Sequence, residues 1–210
     1  MFGRLRLNHN TGKFLHAGVP DLILAGLGNP ERRYARTRHN AGFMFLSALG
    51  DRFGVTIKKK QFDAYTGVWR EQGTALLLMA PLTYMNLSGI SVHAAMRKYR
   101  LASDAIIVAH DDMDIATGRV KFDYDRSSAG HKGIESIIEK IGTKAFYRIR
   151  IGIGKPDSRD GTVDYVLSEF NERELAMLEG MFDTIADGLL MFIKGERQKA
   201  MEFVNRIKAA

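Results

Sequence analysis

Apolar and polar positions along this chain fall into blocks, and their period switches between that of a strand and that of a helix. Leu22–Leu27 is an apolar run feeding the turn Gly28-Asn29-Pro30, which reads as a buried strand. Phe43, Leu46, Leu49 and Phe53 recur at helical spacing over Ala41–Phe53, with Gly54 as a stop. Ala64–Arg70 and Thr74–Ala80 read as a hairpin around Glu71-Gln72-Gly73. Gly89–Arg100 reads as a helix, Ala105–Ala109 as a buried strand ending at His110-Asp111-Asp112, and Arg119–Tyr124 as a short polar strand. Gly133–Ile141 reads as a helix closed by Gly142, and Tyr147–Gly154 alternates as a strand. Asn171 with Glu174 three residues on resembles a capping box, starting a helix that runs to about Ile193. Gly195 breaks it, and a last basic helix covers about Glu196 to Lys208. This alternation predicts a single α/β domain over residues 21–210. Its twisted sheet is expected to be mixed but mostly parallel, flanked by helices on both faces, with helices at the C-terminal end.

Composition narrows the class. The chain has 210 residues, 45% hydrophobic and 26% charged, which fits one soluble domain with a real core and excludes disordered or collagen-like classes. There is no cysteine, hence no disulfide, thiolate metal site or cysteine nucleophile, which fits a reducing compartment such as the cytoplasm. No apolar run is long enough to span a bilayer. Residues 1–20 mix Arg, Lys, His and Asn with isolated apolar positions, lack the stretch of a secretory signal, and read as a loose extension. The net charge of +7 favours an anionic partner, RNA first. Charge alone points to a solvated basic surface, and it gains weight only beside a site.

Several familiar motifs fail. Gly26-Leu27-Gly28 begins like a dinucleotide fingerprint, but Glu31 holds the third glycine position and Pro30 sits where a helix should cradle phosphate. The chain has no GxxxxGK[ST], HExxH or GxSxG pattern. His110-Asp111-Asp112 has metal-ligand chemistry without a second spaced ligand cluster, so no metal or cofactor is expected. Polar residues at strand ends and in loops remain. Asn29 and His39 follow the first strand, Tyr84-Met85-Asn86 follow the strand ending near Ala80, Asp111 follows Ala105–Ala109, and His131 lies in the turn Ser127–Gly133. Singly, each is explained by turn, cap or packing chemistry. Together at one sheet edge they would form a hydrolytic site without a protein nucleophile. His39 would be the base, Asp111 its orienting carboxylate, and Asn29 and Asn86 the amide donors.

These residues, in this order, resemble bacterial-type peptidyl-tRNA hydrolase. The matching segments are GLGNPERRYARTRHNAGF (Gly26–Phe43), PLTYMNLSG (Pro81–Gly89), VAHDDMDI (Val108–Ile115), GHKG (Gly130–Gly133) and RIRIGIGKP (Arg148–Pro156). The resemblance implies a mixed α/β enzyme, monomeric and metal-free, that cleaves the ester between a peptide and the 3′ end of tRNA. It implies His39 as base, Asp111 as the carboxylate that holds it, and Asn29 as the amide that separates peptidyl-tRNA from free aminoacyl-tRNA. Tyr34, Tyr84 and Asn86 match contacts to the 3′ end, Met85 and His131 match the pocket wall, and Lys121 matches a contact to tRNA phosphate.

The chain departs from the family pattern twice. Lys132 stands where the family usually has Asn after the histidine, which replaces a donor-acceptor by a charged donor and suggests contact with an RNA phosphate or the 3′ end. Asp123 stands where a second basic residue is common, with Arg126 nearby to compensate. Two other readings remain: an RNA-binding relative without turnover, and a nucleotide-binding α/β protein. The second lacks a phosphate loop.

Overall fold

In the computed structural model, residues 19–155 and 161–207 are described. Most of the expected 1–20 extension, and Lys208 at the expected end of the last helix, lie outside them. Seven strands form one sheet in the order β2-β3-β4-β1-β5-β7-β6. They are β1 (Leu22–Gly26), β2 (Lys59–Gln61), β3 (Ala64–Glu71), β4 (Thr74–Pro81), β5 (Ile106–Asp112), β6 (Val120–Tyr124) and β7 (Tyr147–Gly152). The helices are α1 (Ala41–Phe53), α2 (Ser88–Tyr99), α3 (Lys132–Ile141), α4 (Thr162–Leu167), α5 (Glu172–Ile193) and α6 (Arg197–Asn205). No helix among the described residues is long and apolar enough to cross a membrane.

The sheet is mixed: β4-β1-β5-β7 run parallel, while β2, β3 and β6 add antiparallel pairs at its edges. Every residue of β1 and β5 is buried, because helices cover both faces. Leu24, Leu78, Ile107 and Ile149 pack toward α1 and α5, while Ile23, Leu77 and Val108 pack toward α2 and α3. The β3–β4 hairpin turns on Gln72 and Gly73, whose φ of 48° and 82° fit a tight hairpin turn. The capping box at α5 is present, with Asn171 accepting from the Glu174 amide at 2.9 Å and Glu174 accepting from the Asn171 amide at 2.8 Å.

One boundary differs from the sequence expectation in a way that matters for chemistry. His110, Asp111 and Asp112 do not follow the strand; they are its last three residues, wholly inside β5. Their polar character reads as a turn, but tertiary partners hold the Asp111 and Asp112 carboxylates within the sheet. The short edge strand β2 and the helix α4 also carry too little periodicity to be read from sequence.

At Gly42 a close approach sets the position of the next segment. A Cβ there would lie 2.3 Å from the Ala109 carbonyl oxygen and 2.4 Å from the Leu27 nitrogen. Only glycine lets the start of α1 sit against the ends of β1 and β5, which brings the residues just before α1 over the end of β5. Because β1 lies between β4 and β5, and the chain passes from one side of it to the other, the carboxyl ends of these strands form the crevice where α/β sheets bind ligands.

Candidate active site

A cleft of about 660 Å³ opens at that edge. Its walls come from the segments after β1, β4 and β7 and from the end of β5: Asn29, Tyr84–Asn86, Val163, Val166 and Leu167, and Asp111–Asp114. His39 and the turn Ser128–Lys132 complete it. Its size is that of a small-molecule or nucleotide pocket.

His39 sits in a single 3-10 turn, Arg38–Asn40, just before α1. Its Nδ1 lies 2.9 and 3.1 Å from the two oxygens of Asp111. A carboxylate only accepts, so Nδ1 carries the proton and Nε2 keeps its lone pair. Nε2 has no partner among the described residues, and the side chain is 13% exposed at the cleft wall. Asp111 is 2% exposed. Burial alone would push its carboxyl up, but the imidazoles of His131 and His39 outweigh this and hold it far below the usual carboxylate range.

Asn29 is held by its neighbours. Its amide N–H donates to Asn40 Oδ1 at 2.8 Å, and Asn40 Nδ2 donates back to its carbonyl at 3.0 Å. Asn29 Oδ1 accepts from the Met85 amide at 3.0 Å. Because only the oxygen can accept, the NH₂ of Asn29 is left as a donor at the cleft. Met85 is buried beneath it, while Tyr84 and Asn86 flank it on the surface.

Asp111 Oδ1 also accepts from His131 Nε2 at 2.9 Å. The other nitrogen of His131, Nδ1, accepts from the amides of Gly133 and Ile134 at 3.1 and 3.3 Å, so His131 is the N-cap of α3. Both nitrogens are therefore committed, and the tautomer is set by the helix. His110 packs edge-on against His131 with ring centroids 4.7 Å apart and donates from Nδ1 to the Asp111 carbonyl at 2.7 Å. Its Nε2 is buried without a partner among the described residues, and burial, reinforced by His131, pushes its pKa well below normal, so the ring stays neutral.

A sequence model described as peptidyl-tRNA hydrolase matches residues 23–210 of this chain. The chain belongs to the peptidyl-tRNA hydrolase family. It is 44% identical to a peptidyl-tRNA hydrolase from Geotalea uraniireducens over 183 residues, covering 87% of this chain and 95% of the relative. It is 38% identical to one from Brevibacillus brevis, covering 89% and 98%. Among solved structures, peptidyl-tRNA hydrolase from Acinetobacter baumannii superposes with a TM-score of 0.86 at 35% identity, covering 90% of this chain and 96% of that one.

Of the residues named from the sequence, Asn29, His39, Tyr84, Met85, Asn86, Asp111, His131 and Lys132 meet in the one cleft. Two lie outside its lining. Tyr34 packs under Arg33, 4.7 Å from the guanidinium to the ring centre. Lys121 is exposed on β6, in register with Arg150 of β7. Lys132 pairs with Glu135 at 3.0 Å on the rim. Asp123 binds Arg150 at 3.1 Å, and Arg126 faces it at 3.7 Å, so the second departure is neutralised within the sheet edge.

Three positioning residues were missed. Asn40 clamps Asn29; an Asn beside a candidate base at a helix start was the available signal. Buried Arg38 binds both oxygens of Glu174 at 2.9 and 2.8 Å, donates to Ser168 and Glu169, and lies over Tyr165 and Phe170. Arg148, 1% exposed, has no acidic partner among the described residues; it donates to the carbonyls of Ser127 and Arg126 and pins the start of the turn that carries His131. Burial lowers its pKa to about 10. Nothing local in YRIRIGIG announces that role.

Ligand atoms of His39, Asp111 and His131 lie within 4.8 Å of one another, a spacing that could hold a cation. The nitrogens facing Asp111 are, however, the protonated ones, at 2.9 Å rather than the roughly 2.0–2.2 Å of metal ligands. The hydrogen-bonded arrangement and a bound metal exclude each other.

Proposed function

We propose that this chain hydrolyses the ester joining a peptide to the 3′ end of tRNA, with water as nucleophile and His39 as general base. The observation that carries the reading is the free Nε2 of His39, backed at Nδ1 by buried Asp111 and opening into the cleft beside Asn29. Nε2 takes a proton from water as the oxygen attacks the ester carbonyl. Asp111 stabilises the imidazolium that forms. Amide donors of Asn86 and Asn29 face the developing oxyanion or the neighbouring peptide carbonyl. The C–O bond to the ribose then breaks, and the leaving hydroxyl recovers the proton from His39. Water and ester become acid and free tRNA.

Asn29 also supplies discrimination. Its oxygen is occupied by the Met85 amide, so it can only donate at the cleft. A peptidyl substrate offers a carbonyl there, whereas a free aminoacyl ester offers an ammonium group, which leaves the donor unpaired and repelled. Tyr84, Asn86, Met85 and Lys132 are read as contacts to the 3′ nucleotide, Tyr34 as a nearby contact, and Lys121 as a phosphate contact on the β6 edge. A tRNA substrate places the enzyme where translation occurs, in the cytoplasm. A cleft built from one chain needs no second copy.

The test is release of the acyl group from purified N-blocked aminoacyl-tRNA, with unblocked aminoacyl-tRNA as control. Rapid release from the first and little from the second is expected. Binding of tRNA without ester cleavage would overturn the reading in favour of a non-catalytic RNA-binding relative.

A further inference from the structure

The cleft has two unlike lips. It crosses the carboxyl ends of four neighbouring strands in the order β4-β1-β5-β7, so Tyr84–Asn86, Asn29, Asp111–Asp114 and α4 are met in that sequence. Tyr84–Asn86 and His131 lead into α2 and α3 and belong to that side of the sheet. Lys121 faces the same side, because it alternates on β6 with Val120 and Phe122, which pack toward α1 and α5. The other lip is α4. Tyr165 and Val166 pack against the α1 and α5 core, as does Met113 at the end of β5.

The short helix α4 is fixed from behind. Tyr165 lies under the Arg38 guanidinium, 4.7 Å from it to the ring centre, and donates from its hydroxyl to the Ile153 carbonyl at 2.5 Å. Arg38 also donates to Ser168 Oγ at 2.8 Å, just past the helix. Helical spacing gathers Val163, Val166 and Leu167 within about 100° of arc, away from Tyr165, and all three line the cleft. Val163 is 68% exposed. The carboxylates nearby are taken: Asp112 by Arg150 at 2.7 Å and Asp114 by Lys155 at 2.8 Å. This lip thus presents methyl groups rather than free charge.

We infer that the α4 lip receives the side chain of the amino acid that carries the ester, and that it favours long apolar side chains there. This rests on the reading that the His39 cleft holds the ester. With the ribose at Tyr84 and Asn86 and the acyl carbonyl at Asn29, the group left on the α-carbon is the side chain. β7 lies two strand spacings, about 10 Å, from β1. Leucine spans most of the remaining gap and alanine does not. Aspartate brings a charge to a surface whose neighbouring cations are already paired.

The test uses one tRNA body acylated with N-acetyl-leucine, N-acetyl-alanine or N-acetyl-aspartate. Wild type should show kcat/KM roughly tenfold higher for the leucyl than for the alanyl ester, and lower again for the aspartyl ester. V163T/V166T keeps the shape of the lip and adds hydroxyls; it should bring the leucyl-to-alanyl ratio to within about twofold of one. V163K, at an exposed position, should raise the aspartyl ester relative to the leucyl ester by about threefold. A wild type indifferent to the side chain would overturn the inference. So would an equal loss on all three esters in V163T/V166T, which marks a structural role, or an equal gain on all three in V163K, which means that this lip faces RNA. A wild type that cleaves none of the esters counts against the His39 reading instead. The lip is then tested by titration with N-acetyl-leucine and N-acetyl-aspartate. Methyl NMR shifts at Val163, Val166 and Leu167 are expected from the first alone, and their absence overturns the inference.

Discussion

The turn carrying His39 and the turn carrying His131 converge on the same carboxylate, each placing a ring nitrogen 2.9 Å from Asp111 Oδ1. Exposure hardly separates them, at 13% and 8% of the side chain. What differs is the second nitrogen. His131 gives its lone pair to the first amides of α3, while His39 faces no backbone donor. The local backbone thus decides which of two like residues is a base and which is a strut. A histidine whose remaining nitrogen caps a helix cannot take a proton from water without releasing that helix end.

Five substitutions test this contrast. H39A should lower kcat by about 10³- to 10⁴-fold, with tRNA affinity nearly unchanged, in single-turnover release of an N-blocked amino acid. A similar loss in H131A would erase the distinction. D111N presents one acceptor and an NH₂ to two imidazole N–H groups, so one ring must lose its bond or change tautomer; a fall of about 10²- to 10³-fold is expected. Because Asp111 is held below 3.8, its contribution to stability is present above that pH and lost as pH falls through its folded value. D111N should therefore flatten the acid end of the stability curve.

H131N separates the two tasks of the strut. Asn can still cap α3 but does not reach Asp111. H131N should keep its thermal midpoint and lose roughly tenfold in kcat, whereas H131A should also lose about 1 kcal/mol of stability by denaturant unfolding. The smallest effect concerns His110. Its folded pKa is depressed, so it stabilises the fold above the ordinary value of 6.5, and that contribution declines as pH drops and the unfolded chain takes up a proton. H110F should remove a slope of up to about 1.4 kcal/mol per pH unit below pH about 6.5. An unchanged slope would mean that His110 gains its proton in the folded protein.

The cleft residues were legible because they belong to short segments with strong local signatures: a strand run into Gly28-Asn29-Pro30, a His before an amphipathic helix, a Gly-rich turn before α3. α1 matched its expected limits, from the spacing of Phe43, Leu46, Leu49 and Phe53 to the left-handed Gly54. What failed depended on partners distant in sequence. His110–Asp112 were read as a strand exit because the carboxylates of Asp111 and Asp112 are matched by His39, His131 and Arg150, which no local pattern brings near. The positions of Arg38 and Arg148 depend on Glu174 and on the Ser127 and Arg126 carbonyls, which no local pattern brings near either. Asn40 was overlooked because its role, holding the Asn29 backbone, is invisible until the two turns are side by side.

Arg38 links two distant parts of the chain. It stands next to His39, yet its guanidinium is held by Glu174, the same residue that closes the capping box of α5. The start of a C-terminal helix and the seat of the base are thus one mechanical unit. On gentle heating, fraying of that helix end frees Arg38 and loosens His39 while the central strands are still protected from hydrogen exchange. Inactivation then precedes melting, and the first amides of α5 become exchangeable at the temperature where turnover begins to fail.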